Sequence, residues 1–219
     1  MTARTLGGFV SAMGCVSLLM AGSAQAAEGQ WSLGGNFGAG FYSGGSFNDS
    51  LDAVGYQKVS QGWEFGPSLR YGVSPKVSID CEVSTLNGKG TTESATPKFQ
   101  AEANGLATTL NLYYQVSGND SHSLSLFAGA GPMLQTGWST KQDTTETASK
   151  TKTTFYGQIG IESQMRLSKR LAFTSRALGR IAKANDLVDE KDPATSFSVS
   201  MSGVAVSVGL RAMFGGSGY

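Results

Sequence analysis

The sequence predicts an all-β fold, specifically an eight-stranded antiparallel up-and-down transmembrane β-barrel. Three observations predict this fold. Apolar and polar residues alternate along eight separate segments, long and short connectors alternate between those segments, and lysine is confined to the connectors and their edges. A net charge of +1 gives no electrostatic indication of nucleic-acid binding. Only 15% of the residues are charged, against roughly 25% in typical soluble domains.

Residues 1–26 are predicted to be a signal peptide, which leaves residues 27–219 as the barrel. A positively charged start and an apolar run precede Ala24-Gln25-Ala26, a small-x-small cleavage pattern. A membrane anchor is a weaker interpretation because the run contains several Gly and Ser residues. A lipoprotein anchored at Cys15 would need a Leu three residues earlier, where Ala12 stands. After cleavage Cys81 is the remaining cysteine, so no intramolecular disulfide is expected.

Each predicted strand shows a period of two, with one apolar and one polar face. The segments span residues 30–42, 62–73, 77–84, 106–116, 123–130, 155–167, 171–181 and 197–214. In the last segment Phe197, Val199 and Met201 have the opposite parity to Val204. This change of parity predicts a β-bulge near Ser202-Gly203.

The connectors fall into two classes that alternate strictly along the chain. The tight connectors are Ser74–Lys76, Ser117–Ser121 and Ser168–Arg170, and the long polar ones cover residues 43–61, 86–104, 135–153 and 183–196. Transmembrane barrels have this arrangement, with short periplasmic turns and long outer loops. The long connectors are rich in Thr, Ser, Lys and Glu, so they are predicted to be solvated and displayed.

The placement of lysine and aromatic residues decides which strand face meets lipid. A soluble, lipocalin-like barrel would carry lysine on its water-exposed strand faces, whereas a membrane barrel turns an apolar face outward. The polar strand faces carry Gly, Ser, Asn, Gln, Arg and acids instead, which suits a narrow polar lumen. Two aromatic girdles are also predicted. Their members are Trp31, Tyr71, Tyr114 and Phe214 at the periplasmic side and Phe41, Trp63, Trp138 and Phe155 at the outer side.

Over residues 27–214 the chain resembles the small OmpA/OmpX-type outer-membrane β-barrel family, which includes porin-like members. The stretch from Ser207 to Phe214 resembles the terminal-strand assembly signal of that family, with a polar residue, a Gly two residues later and apolar residues ending in Phe. The resemblance implies a bacterial outer-membrane location and contacts with outer-membrane lipids and lipopolysaccharide. It also implies recognition by the barrel-assembly machinery through Gly209 to Phe214. A monomer is expected.

The inward strand faces are predicted to hold a lumenal ionic network. Its members are Glu64, Arg70, Asp80, Glu82, Glu162, Arg166, Arg176, Arg180 and Arg211. Eight strands leave an interior just wide enough for side chains, so five cations facing four anions are expected to plug the lumen. The alternative is a narrow, gated pore lined by the same residues. Pairing about Lys169 sets position i opposite 338 − i, which predicts an Arg176–Glu162 ion pair.

No catalytic site, metal site or cofactor is predicted. His122 is the single histidine, and its neighbours Ser121 and Ser123 would point to the opposite strand face. One His and one mature Cys do not make a transition-metal site. The acidic cluster of the fourth long connector could hold a divalent cation, although a solvated acidic loop is the simpler interpretation; it comprises Asp186, Asp189, Glu190 and Asp192.

The sequence therefore predicts an outer-membrane barrel with a structural role or a surface-interaction role through four extracellular loops. The first alternative is a narrow small-solute channel. The second is a lipid-modifying outer-membrane enzyme. The sequence identifies no surface partner.

Overall fold

The computed structural model describes residues 28–92, 99–142, 145–148, 151–188 and 196–215. The predicted signal peptide, residues 1–26, lies outside them. The elements are β1 (Gln30–Gly44), α1 (Ser46–Ala53), β2 (Gln61–Gly72), β3 (Val77–Thr92), β4 (Phe99–Gly118), β5 (His122–Gln142), β6 (Thr145–Ala148), β7 (Lys152–Arg166), β8 (Leu171–Val188) and β9 (Ser196–Gly215). Within the described part of the chain, no helix has the length and apolar character needed to cross a membrane.

Eight of the strands close into an antiparallel ring. Each strand pairs with the next in the order β1, β2, β3, β4, β5, β7, β8 and β9, and β9 pairs back to β1. The short β6 pairs with the far end of β5. The predicted eight-stranded antiparallel barrel is therefore confirmed.

Tight turns join the strands at one end of the ring, which we call the turn end. At two of them a backbone N–H closes the turn: Val73 donates to the carbonyl of Val77 at 2.9 Å and Leu167 donates to that of Leu171 at 2.8 Å. The opposite end, which we call the loop end, carries α1 and the longer connections. In outer-membrane barrels the short turns lie in the periplasm and the longer loops outside the cell.

The strands are much longer than a membrane requires, and their alternation inverts toward the loop end. β4 has 20 residues and β5 has 21, whereas about 9–11 residues span a bilayer. In the turn-end half of β4, Leu110 points outward and is 61% exposed. Toward the loop end the inward positions become apolar, with Ala101 and Ala103 buried and Glu102 facing out. The inversion marks the level at which the outer surface leaves lipid and enters water.

This inversion corrects two predictions. Residues 86–104 and 135–153 are not solvated loops throughout. β3 continues to Thr92 and β4 begins at Phe99, with both Leu86 and Phe99 buried, and β5 continues to Gln142, with Trp138 buried. Lysine is also present on strands: Lys89, Lys141, Lys152 and Lys183 lie on β3, β5, β7 and β8, all exposed and near the loop end. Alternation was interpreted as apolar outside and polar inside, and that rule holds for the part of each strand in lipid.

The predicted bulge in the last strand is present, but its expected cause was wrong. Tyr42 pairs with Gly203 and Gly44 pairs with Ser200, so β9 has one more residue than β1 between these pairs. Val199 and Met201 are each 1% exposed because they point into the barrel, on the same inward face as Ala205. These apolar residues occupy inward positions because the alternation is inverted at the loop end. The strand does not change which of its faces points into the barrel.

Candidate functional site: the closed lumen

The lumen is the place where the structure gathers polar and charged side chains. Eight of the nine predicted lumenal charges are buried. We call these eight the ionic tier: Glu64, Arg70, Asp80, Glu82, Glu162, Arg176, Arg180 and Arg211. Four cations and four anions share this low-dielectric space, so the tier is neutral. Unpaired charges there would cost several kcal/mol each, so pairing is required for the fold to be stable.

The part of the tier nearest the turn end is built around Arg70. Its two terminal nitrogens donate to the two carboxylate oxygens of Glu162 at 2.7 and 3.0 Å. Its Nε donates to Oδ2 of Asp80 at 3.1 Å, and Nη2 of Arg211 lies 3.3 Å from the same oxygen. A bidentate Arg–carboxylate pair is a strong and directional form of ion pair, so these groups hold one arrangement.

The part of the tier nearer the loop end contains two further pairs. Arg176 donates from Nη1 to Glu82 at 2.9 Å, and Arg180 lies 2.6 Å from Glu64 through its Nη1. Glu82 also accepts from the Ser84 hydroxyl at 3.0 Å. These pairs join strands that are not neighbours, so they cross the interior and do not line a pore.

The predicted Arg176–Glu162 pair is only a secondary contact. The register is as predicted, with Glu162 opposite Arg176 across β7 and β8. However, Nε of Arg176 lies 3.9 Å from Glu162, while Glu82 is within hydrogen-bond distance. Arg176 extends past Glu162 on the neighbouring strand and reaches Glu82 on the facing wall.

Two inward aromatic rings support the tier, and the sequence analysis did not identify them. Tyr113 and Phe127 are each 2% exposed and stack with ring centroids 4.9 Å apart. The guanidinium of Arg70 lies over the Tyr113 ring at 3.5 Å, and that of Arg176 over the Phe127 ring at 4.7 Å. Both rings stand at sequence positions that otherwise carry the polar residues of their strands. This placement could have identified them as inward-facing aromatic residues. Desolvated cation–π contacts of this kind contribute about 2 kcal/mol.

Above the ionic tier, toward the loop end, the lumen is filled by apolar side chains. We call this cluster the apolar cap; it comprises Tyr42, Phe47, Leu51, Val59, Leu86, Phe99, Ala101, Ala103, Ala107, Met133, Trp138, Tyr156, Ala182, Ala184, Leu187, Val199 and Met201. Trp138 was predicted in the outer girdle, but it is 3% exposed inside the cap. Its ring stacks on Phe47 of α1 at 5.3 Å.

Helix α1 closes the mouth of the barrel. Phe47 and Leu51 are one helical turn apart and both point into the cap, so the helix is amphipathic. Gly45 and Gly55 flank the helix with φ of 67° and 76°, backbone angles that favour glycine. The Asn48 amide exchanges two hydrogen bonds with the backbone of Val59, at 2.9 and 3.0 Å, which ties the helix to the following segment.

Small cavities adjoin the ionic tier in the part of the chain that the structure describes. One, of about 10 Å³, lies between Glu64, Glu82 and Arg176 and has room for about one water molecule. Another, of about 60 Å³, is at the turn end; we call it the vestibule. Arg70 and Arg211 lie at its inner side, and hydroxyl and amide side chains form much of its wall. The vestibule therefore ends blindly at the ionic tier.

Arg166 is the predicted network member that the structure leaves outside the tier. It is half-buried and lines the vestibule. Among the described residues its side chain forms no ion pair. Arg166 lies on β7 four residues closer to the turn end than Glu162, the acid that pairs with Arg70.

Other residues weighed in the sequence analysis are placed as follows. His122 is half-buried in the vestibule wall, and its side chain forms no hydrogen bond with a described residue. Cys81 is exposed on the outer face of β3. Asp186 is exposed on β8, and the other three acids of its cluster lie outside the described residues. No group of three metal-ligating side chains occurs in the part of the chain that the structure describes.

A closed antiparallel ring with an apolar exterior and a packed ionic interior defines a small transmembrane β-barrel. The chain belongs to the family described as outer membrane protein beta-barrel domain, whose model matches residues 11–214. This membership places the protein in the bacterial outer membrane. The match begins within the predicted signal peptide. No curated protein matches the chain.

Several solved structures match most of the chain at low sequence identity. The outer membrane protein OprG from Pseudomonas aeruginosa is 13% identical, with a TM-score of 0.54, and the match covers 88% of this chain and 99% of that one. The outer membrane protein AlkL is 16% identical, with a TM-score of 0.49 and coverage of 91% and 97%. Ail, the attachment invasion locus protein of Yersinia pestis, is 14% identical, with a TM-score of 0.47 and coverage of 85% and 99%.

Proposed function

We propose that this outer-membrane barrel is a closed, non-conducting protein whose role is structural or is exerted through its loop-end surface. The observation that carries the proposal is the double closure of the lumen. The ionic tier crosses the interior with paired charges, and the apolar cap fills the space above it beneath α1. An ion crossing this lumen would have to pass a neutral salt-bridged layer and a packed apolar layer, and neither layer compensates its charge.

The loop-end surface is the part of the molecule available to other molecules outside the cell. Its outward positions carry charged side chains in exposed or half-exposed pairs, such as Lys89 with Glu102 at 3.0 Å and Lys58 with Asp52 at 3.0 Å. Exposed pairs contribute little to stability, about 0–1 kcal/mol, so these charges are free to serve solubility or contact. Lipopolysaccharide is the first partner proposed for this surface, and the barrel-assembly machinery is proposed to recognise Gly209 to Phe214. The protein is proposed to act as a monomer.

A proteoliposome swelling assay tests the closure. Vesicles that contain the protein should swell in iso-osmotic small sugars no faster than protein-free vesicles. The double variant with Phe47→Ala and Leu51→Ala, which removes the α1 side chains that pack into the apolar cap, serves as the comparison protein. Rapid swelling with the parent protein would overturn the proposal.

A narrow small-solute channel is the second candidate function. The observation in its favour is the vestibule, which brings the turn-end solvent as far as Arg70 and Arg211. A channel would require the tier to rearrange and α1 to leave the mouth. Swelling by the parent protein that depends on solute size would support this candidate.

A further inference from the structure

The vestibule carries an excess of positive charge. The ionic tier balances four cations with four anions, and Arg166 is a fifth inward cation without an ion-pair partner among the described residues. Among the described lining residues, Asp120 is the one carboxylate, and it is exposed on the turn at the mouth. Hydroxyl and amide side chains make up much of the remaining wall.

The strand register sets Arg166 and Arg211 at the same level. Arg166 of β7 pairs with Ala172 of β8, and Ala172 pairs with Arg211 of β9. Two strand spacings separate the two arginines, so their Cα atoms lie about 10 Å apart. All three side chains point inward, and Ala172 is fully buried. Both arginines line the vestibule, and the Arg211 guanidinium extends over β1 and β2 to Ser32 and Ser68.

Arg211 is also incompletely satisfied. Its Nη1 donates to the Ser32 hydroxyl at 3.4 Å, and its Nη2 donates to Ser68 at 3.1 Å. Its carboxylate contact within the described part of the chain, Asp80 at 3.3 Å, is shared with Arg70. Among the described residues the Nε of Arg211 has no hydrogen-bond partner, although Arg211 is 2% exposed. A buried charged donor without a partner is destabilising, so an acceptor at this place would be stabilising.

We propose that the vestibule binds one small oxyanion between Arg166 and Arg211. The ligand is a phosphate or carboxylate group that enters from the turn end. Guanidinium groups present planar sets of donors that match both anions, and low local dielectric strengthens the contacts. The cavity of about 60 Å³ holds about four water-sized positions, so it accepts one such group and not a larger solute. The site is independent of whether the barrel conducts.

Isothermal titration of the folded protein in an uncharged detergent tests the proposal. The buffer contains neither phosphate nor carboxylate, and inorganic phosphate and acetate are titrated separately. Saturable one-site binding is expected for at least one of them. Binding of phosphate alone would indicate that the ligand is a phosphate group. Binding of acetate alone would indicate a carboxylate such as a peptide terminus, and binding of both would indicate a general oxyanion site.

Three variants locate the site. Arg166→Gln should weaken anion binding about ten-fold or more because a charged hydrogen bond is lost. Arg170→Gln removes the same charge from an exposed position on the neighbouring turn, so binding should change by no more than about two-fold. Ala172→Glu should abolish binding because its carboxylate would occupy the space. Heat-modifiable migration on a gel verifies that each variant is folded.

Two results would overturn the proposal. One is the lack of saturable binding of either anion by the parent protein. The other is equal weakening by Arg166→Gln and Arg170→Gln, which would assign the effect to general electrostatics.

Discussion

Replacing Glu162 by Gln removes one negative charge from the ionic tier while it keeps the side-chain volume. Glu162 is 2% exposed and accepts two hydrogen bonds from Arg70, at 2.7 and 3.0 Å. Arg176 lies 3.9 Å away. The change leaves four buried cations with three buried anions. The substitution should therefore destabilise the barrel strongly.

The size of the effect follows from the contacts that remain. Breaking a buried ion pair costs about 3–5 kcal/mol because one charge is left uncompensated. Arg70 keeps Asp80 at 3.1 Å and Arg176 keeps Glu82 at 2.9 Å, so the cost should be at the lower end, about 3 kcal/mol. Glu102→Gln is the matched control. Glu102 pairs with Lys89 at 3.0 Å, but their side chains are 33% and 48% exposed. The control should therefore cost about 0–1 kcal/mol.

Equilibrium unfolding in urea, with the protein refolded into vesicles, measures both free energies. Arg70→Met and the double variant complete a double-mutant cycle. The double variant should lose less than the sum of the single losses, with a coupling of about 1–3 kcal/mol. If Glu162→Gln costs no more than Glu102→Gln, or if the two single losses simply add, the tier is not a desolvated charge network and the reasoning is refuted.

Three further predictions concern depth, sidedness and the cap. Leu110→Arg should destabilise the barrel by about 2–4 kcal/mol, as measured by the same unfolding assay, because Leu110 faces lipid near mid-membrane; a tolerated Arg would contradict this placement. Protease added to intact cells should cut within 135–153 and spare Ser117–Ser121, and fragments from the turn alone would reverse the topology. Phe47→Ala should make Trp138 accessible to acrylamide. The measurement is acrylamide quenching of Trp138 fluorescence in a protein whose other tryptophans are replaced by Phe. Unchanged quenching would show that α1 does not shield the cap.

Most of the membrane-embedded architecture could be predicted because lipid imposes a strict rule. Most outward side chains there are apolar, so alternation, the number of strands and the turns follow from the sequence. The pairing of β7 with β8 followed from a single tight turn, and the structure has Glu162 opposite Arg176 as expected. The burial of eight of the nine lumenal charges followed from the same parity.

Contacts inside the lumen could not be predicted in the same way. Register fixes which residues are opposed on neighbouring strands, but Arg176 is long enough to reach Glu82 across the interior. Space within the lumen also depends on small residues. A Cβ at Gly34 would lie 3.1 Å from the Arg211 guanidinium, so this glycine leaves room for that side chain. The alternation of residues along a strand gives no information on how side chains pack within the lumen.

The loop end was predicted least well because the rule changes there. Above the lipid the outer surface meets water and the inner face is packed, so apolar residues move to the inward parity. Trp138 and Leu86 were assigned to a girdle and a loop for this reason, although both are buried in the apolar cap. Apolar and polar residues continue to alternate beyond the lipid level, with the apolar residues now on the inward face. This continued alternation could have identified the extended strands.

Single-channel recording in a planar bilayer tests the closed lumen most directly. The parent protein, inserted with verified orientation, should give a silent trace in molar salt at moderate voltage. A stable, stepwise conductance of the parent protein would contradict a lumen closed by the ionic tier and the apolar cap.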